Sequence, residues 1–187
     1  ANKSIVQTHL FYLNLMDDIY STYRAVQPGE TPFPFTDVPE SRWSYPYIRQ
    51  LYDAGVVSGM TATTFAPAEN MTRAQFVTML AGLQGADVSA YKTGKFTDVP
   101  ADAWYAPYVS WAAENGVVYG VSDTAFAPDA DISRQDMAVM VYRYAERFGI
   151  RLGTDVPPVT FADAGDIAAY ALPAVQALQR AGVISGM

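Results

Sequence analysis

The 187 residues contain no cysteine and one histidine, His9. The first absence excludes a disulfide scaffold and any thiolate metal or redox centre. The second leaves no histidine-rich metal set, and no glycine-rich phosphate loop is present either. Basic residues are few, 12 Lys and Arg against 19 Asp and Glu, for a net charge of −7. That balance argues against a nucleic-acid partner, which would need a basic footprint. Any anion site must be local, built from a few Arg within about a Debye length, roughly 8–10 Å. No apolar run reaches the length of a membrane span, so no membrane insertion is expected, and no charged-then-apolar leader is present.

What the chain does contain is repetition. Phe35-Thr36-Asp37-Val38-Pro39, Trp43, Pro46, Gly55-Val56-Val57, Gly59, Phe65-Ala66-Pro67 and Thr72-Arg73 recur without a gap 61 residues later. The second copy reads Phe96-Thr97-Asp98-Val99-Pro100, Trp104, Pro107, Gly116-Val117-Val118, Gly120, Phe126-Ala127-Pro128 and Ser133-Arg134. The shared residues are mostly Gly, Pro, aromatic and Val, which fix turns and cores. A third copy starts at Phe161-Ala162-Asp163 and reaches Gly182-Val183-Ile184-Ser185-Gly186-Met187. It has no Phe-Ala-Pro loop and no Thr/Ser-Arg segment.

Each complete copy reads as helix, loop, helix. The first helices are expected over about 44–54 and 105–115, each with a proline in its first turn and a left-handed glycine at its end. The valine pairs that follow are read as buried loop anchors. The second helices are expected to start at Thr72 and Ser133. Thr72-Arg73-Ala74-Gln75 fits a capping box, with Ser133 and Asp136 as its near-equivalent. A last helix is expected over about 167–180, starting nearer Tyr170 if Pro173 cannot lie in its interior. Residues 4–23 carry one apolar stripe at helical spacing, with His9 on it as a packing residue, and have no copy elsewhere. A Pro- and Gly-rich link follows.

The residue types in this frame suggest one kind of chemistry. Arg73 and Arg134 each occupy the first helical position, where the partial positive charge of the helix end makes a cation locally unfavourable. Two readings remain open: a structural ion pair with the copy's own Asp37 or Asp98, or an anion site made by the guanidinium with free helix-terminal amides.

The motifs Phe-Thr-Asp-Val-Pro, Trp, Pro-Tyr, Gly-Val-Val-x-Gly, Phe-Ala-Pro and Thr-Arg-Ala-Gln resemble the S-layer homology (SLH) domain over residues 35–187. The resemblance implies an all-α fold, a pseudo-three-fold bundle of helix-loop-helix repeats, with the 4–23 segment as an extra N-terminal helix. It divides the chain into 1–34, a first repeat at 35–95, a second at 96–160 and a partial third at 161–187. The unmatched 4–23 helix is the candidate to fill the place of the missing third-repeat helix. The family anchors surface or S-layer proteins to the cell wall by binding secondary polysaccharide, often pyruvylated, without a cofactor. For this chain that implies an extracellular location and an anionic cell-wall polysaccharide as partner.

The resemblance carries site roles onto matching positions. Arg73 and Arg134 would meet the acidic sugar, flanked by Thr72, Gln75 and Ser133 and by Asp37 and Asp98. The family Glu is replaced by Gln75 and Asp136, which should weaken capping more than binding. Gly59, Gly120 and Gly186 would let a sugar approach the backbone. Ser58 and Ser185 keep the family serine, which Tyr119 replaces in the second copy. Trp43 and Trp104 have a sugar-stacking role available, but the preferred reading places them in the repeat core.

Three other readings were weighed. A carboxylate-pair glycosidase has acids to draw on, but Asp37 and Asp98 repeat with the scaffold, so no enzyme is expected. A calcium loop at 129–133 has alternating oxygens without the glycine and terminal glutamate of such loops. A protein-assembly module, joining other surface-protein chains without binding glycan, is the alternative function.

Overall fold

The computed structural model describes residues 32–92 and 94–186. The helix expected over 4–23, and His9 with it, lies outside the described residues. Within them the chain is all-α: α1 (Tyr45–Asp53), α2 (Arg73–Gln84), α3 (Ala106–Glu114), α4 (Arg134–Phe148) and α5 (Leu172–Arg180), with a 3₁₀ turn at Ala164–Asp166. One isolated bridge joins Thr72 and Asp131. The chain divides into two compact units between Asn70 and Met71.

In the N-terminal unit, Pro46 sits in the first turn of α1, where its missing N–H costs nothing. Gly55 ends the helix at φ +69°, as do Gly116 and Gly182 after α3 and α5. Phe35, Val38 and Ile48 form the core, with Phe33, Tyr45, Tyr52 and Phe65 packed against it. Phe33 meets Phe35 edge-on at 5.1 Å and Tyr45 at 5.2 Å. Each such contact adds roughly 0.5–1.5 kcal/mol beyond its buried area. Val56 and Val57 are only half-buried, whereas Val117 and Val118 are fully buried as expected.

In the C-terminal unit the helices pair across sequence copies. α2, the second helix of copy one, packs on α3, the first helix of copy two, and α4 packs on α5 in the same way. α2 and α4 also touch, and Tyr144 donates to Gln84 Oε1 at 3.1 Å. Phe76, Val77 and Leu80 of α2 and Met137, Ala138 and Val141 of α4 are buried. α5 starts at Leu172 rather than 167, with Pro173 in its first turn. A proline in the helix interior would delete a hydrogen bond and clash with the preceding turn.

The loops are held by the conserved-in-copy aspartates. Asp98 accepts from the amides of Phe126 (2.9 Å) and Ala127 (2.7 Å). Asp37 accepts from Phe65 (2.9 Å) and Ala66 (2.7 Å). The bonds hold Ala66 and Ala127 at φ +62° and +57°, a left-handed conformation that costs a non-glycine residue about 1–2 kcal/mol. Burial pushes both carboxyls up, but the amide hydrogen bonds outweigh it and hold them below the ordinary 3.8.

A depressed folded-state pKa means stability that is present above 3.8 and lost as pH falls through and below it. Asp98→Asn should destabilise the fold by about 1 kcal/mol near neutral pH, the two bonds being screened by solvent. Chemical denaturation should also show a shallower loss of stability on acidification in the variant than in the parent.

Candidate functional site

A cleft of about 380 Å³ lies in the C-terminal unit. All three sequence copies contribute to it. Copy one supplies Arg73, from the start of α2. Copy two supplies the turn at 118–121 and the α4 residues Asp136, Met140 and Arg143. Copy three supplies Tyr170, just before α5. The stagger of helices across copies brings these segments together.

Arg73 is only 5% exposed. Its Nε donates to the Phe126 carbonyl at 2.9 Å, and its Nη1 lies 3.3 Å from Asp136 Oδ2. The guanidinium carbon stands 5.0 Å from the centre of the Phe126 ring. The ion pair expected with Asp37 or Asp98 is therefore made with Asp136, one copy further on. Asp37 and Asp98 are occupied with loop amides instead. Desolvation lowers the Arg73 pKa against the opposing pull of Asp136, and the guanidinium remains a cation.

The helix-terminal amides at α2 are not free for an anion. Arg73 N–H donates to the Ala130 carbonyl at 2.9 Å and Ala74 N–H to Pro128 at 3.0 Å. The capping box takes the next amide: Gln75 N–H donates to Thr72 Oγ1 at 3.2 Å, and Thr72 N–H to Gln75 Oε1 at 2.8 Å. Thr72 and Gln75 therefore act as cap residues. Ser133 accepts from Asp136 N–H at 3.2 Å, but the Asp136 side chain turns to Arg73 and Tyr170. Tyr170 donates to Asp136 Oδ1 at 2.7 Å. Desolvation of its hydroxyl, then this bond, push the Tyr170 pKa up to about 12.

The remaining expected residues are distributed as follows. Arg134 is half-buried and donates from Nη2 to the Ser185 carbonyl at 3.3 Å. It thus reaches the Ser185-Gly186 turn of copy three, whereas Arg73 lines one cleft with the Tyr119-Gly120 turn of copy two. Ser58 and Gly59 belong to the N-terminal unit.

One expectation needs correction, that of tryptophans in the repeat core. At the glycines, the position that a Cβ would take is already filled by the protein. A Cβ on Gly120 would stand 2.5 Å from Phe96 Cε1 and from the Ala125 carbonyl oxygen. Gly59 faces Phe35 and the carbonyls of Thr61 and Thr64 in the same manner, and Gly186 faces Phe161. Trp43 and Trp104 are 44% and 60% exposed, not core residues. They sit in the turn before each helix, and Trp104 leans edge-on against Tyr105 at 5.3 Å. The buried tryptophan is Trp111, stacked on Phe148.

Reading the repeats for their matches noted Tyr119 only as a replacement of serine and overlooked Arg143. Both depart from copy one, which has Ser58 and Gly82 at those places. The Arg143 guanidinium carbon stands 4.1 Å from the centre of the Tyr119 ring. A comparison of the copies for coincident departures would have found the pair. No cluster of three or more potential metal ligands occurs among the described residues.

Gly120→Ala should lower stability by about 2–3 kcal/mol, because φ is +94° and the added carbon meets backbone oxygen. Thermal denaturation should show the drop without any ligand present, so binding lost in this variant is a consequence of the fold.

The S-layer homology domain model matches residues 34–77, 95–138 and 160–187. The chain is 38% identical over 144 residues to an endoglucanase of Bacillus sp. (strain KSM-635), covering 77% of this chain and 15% of that protein. It is 32% identical over 130 residues to a cellulosome-anchoring protein of Acetivibrio thermocellus, covering 67% of this chain and 28% of that protein. Over 107 residues it is 30% identical to the S-layer protein sap of Bacillus anthracis, covering 57% and 13%. The chain thus spans less than a third of the length of these curated relatives. With three matched segments that follow its own internal repeats, the chain belongs to the S-layer homology domain family.

Proposed function

We propose that this chain is a non-catalytic module that anchors a surface or S-layer protein to the bacterial cell wall. It binds anionic secondary polysaccharide, of the pyruvylated kind, in Arg-bearing clefts between repeats. The observation that carries the reading is the cleft to which all three copies contribute, with cations and exposed aromatics on an otherwise acidic chain. A local cationic site can hold a carboxylate despite a net charge of −7.

The relatives support the non-catalytic part. The same segment is shared by proteins named endoglucanase, cellulosome-anchoring protein and S-layer protein. A reaction common to all three is not in those names, whereas attachment at the cell surface suits each. The matched segments also support the division into a 1–34 N-terminal segment and repeats at 35–95, 96–160 and 161–187. The recurring pairing of one copy's second helix with the next copy's first supports a pseudo-three-fold arrangement. In this reading Arg73 and Arg134 mark successive clefts, which Thr72, Ser133, Gln75 and Asp98 shape and to whose turns Gly120, Ser185 and Gly186 belong. Asp37, Ser58 and Gly59 play the corresponding part within the N-terminal unit. Trp43 and Trp104, being exposed, are available for stacking on sugar.

Co-sedimentation with purified Gram-positive cell walls tests the proposal. Binding should be strong to intact walls, vanish on walls stripped of secondary polymer and weaken as salt rises. Equal binding to both wall preparations would reject the polysaccharide. Self-association without wall binding would replace the anchor with a protein-assembly module.

A further inference from the structure

We infer that Arg143, stacked on Tyr119, is the residue that meets the ligand's carboxylate in this cleft, while Arg73 is a positioning residue. The inference rests on the anionic-glycan reading above and names its contact.

Two cations line the cleft, and their surroundings differ. Arg73 is buried, donates to the Phe126 carbonyl and offsets Asp136. Tyr170 closes the other Asp136 oxygen at 2.7 Å. The Arg73–Asp136–Tyr170 set is therefore satisfied internally. Drawing Arg73 toward a ligand would strand a partly buried carboxylate, a costly exchange. Arg143 is half-buried and, among the described residues, pairs with no carboxylate. Its guanidinium carbon lies over the Tyr119 ring at 4.1 Å, a contact that holds the cation without a counter-charge, so that its donors can serve a carboxylate.

Tyr119 is 57% exposed. With one face given to Arg143, its other face is open to stack on the apolar face of a sugar ring. The two residues thus recognise a carboxylate and a sugar ring side by side. Copy one has Ser58 and Gly82 at these positions, so neither half of the pair occurs there. The cleft formed by 118–121 and α4 would then prefer acidic over neutral sugars through side chains particular to the second copy.

The test uses the full chain and its Arg143→Gln, Arg143→Lys and Tyr119→Ser variants. Both positions are solvent-accessible, and Gln and Lys suit a helix nearly as well as Arg. The probe is a methyl mannoside bearing a pyruvate ketal, with plain methyl mannoside as the neutral control, followed by calorimetric titration. Arg143→Gln should weaken acidic-probe binding about tenfold or more, the loss of a charge-assisted hydrogen-bond pair. Arg143→Lys should keep part of the affinity, and Tyr119→Ser should lose several-fold. NMR of the arginine side chains should show the Arg143 Nε signal moving on titration and that of Arg73 holding still.

Unchanged affinity in both Arg143→Gln and Tyr119→Ser, or an Arg73 signal that moves in place of that of Arg143, overturns the inference. If the parent binds intact walls while those variants bind them equally well, the anchor stands and this contact falls. If the parent binds neither walls nor acidic probe, the anchor reading fails and takes the contact with it.

Discussion

In each complete copy one carboxylate joins two segments that are far apart in sequence. Asp98 gathers the amides of Phe126 and Ala127, and Asp37 those of Phe65 and Ala66. The bonds hold an alanine in left-handed geometry and lodge the following proline. That turn delivers the chain to the next helix start. In the C-terminal unit the same loop supplies carbonyls 126, 128 and 130, which receive Arg73 and the first amides of α2. Without the carboxylate the loop would lose the donors' partner and the strained alanine its compensation.

The second constraint is the stagger of helices. A helix-loop-helix copy this short cannot bury its own apolar faces, so α2 leaves its sequence partner and packs on α3. α4 then packs on α5 by the same rule. The boundary between compact units consequently falls between Asn70 and Met71, inside the first sequence copy. One result is that Arg134 reaches the Ser185-Gly186 turn of the following copy, while Arg73 lines one cleft with the Tyr119-Gly120 turn. Another is that clefts form at junctions, where residues from different copies meet.

Electrostatics in the cleft follow from burial. An arginine at a helix start is opposed by the helix dipole. At Arg73 the opposition is offset by Asp136 and a carbonyl, and the position becomes structural. Arg143 lies further along α4 and is held by an aromatic face instead. A guanidinium so held is oriented without its charge being cancelled, which distinguishes it from its buried neighbour.

The sequence by itself determined the repeats, the helix-loop-helix order with prolines in the first turns of α1, α3 and α5, and the capping box at Thr72. These depend on local backbone chemistry, so a short motif suffices to state them. Only the tertiary structure decided partners. Whether Arg73 pairs with Asp37 of its own copy or Asp136 of the next turns on which copy's helix packs beside it, a long-range choice that no local spacing encodes. The exposure of Trp43 and Trp104 and the filling of space above Gly120 by Phe96 are of the same kind. Each depends on which side chain occupies a shared volume, and that is settled only when segments distant in the sequence pack together.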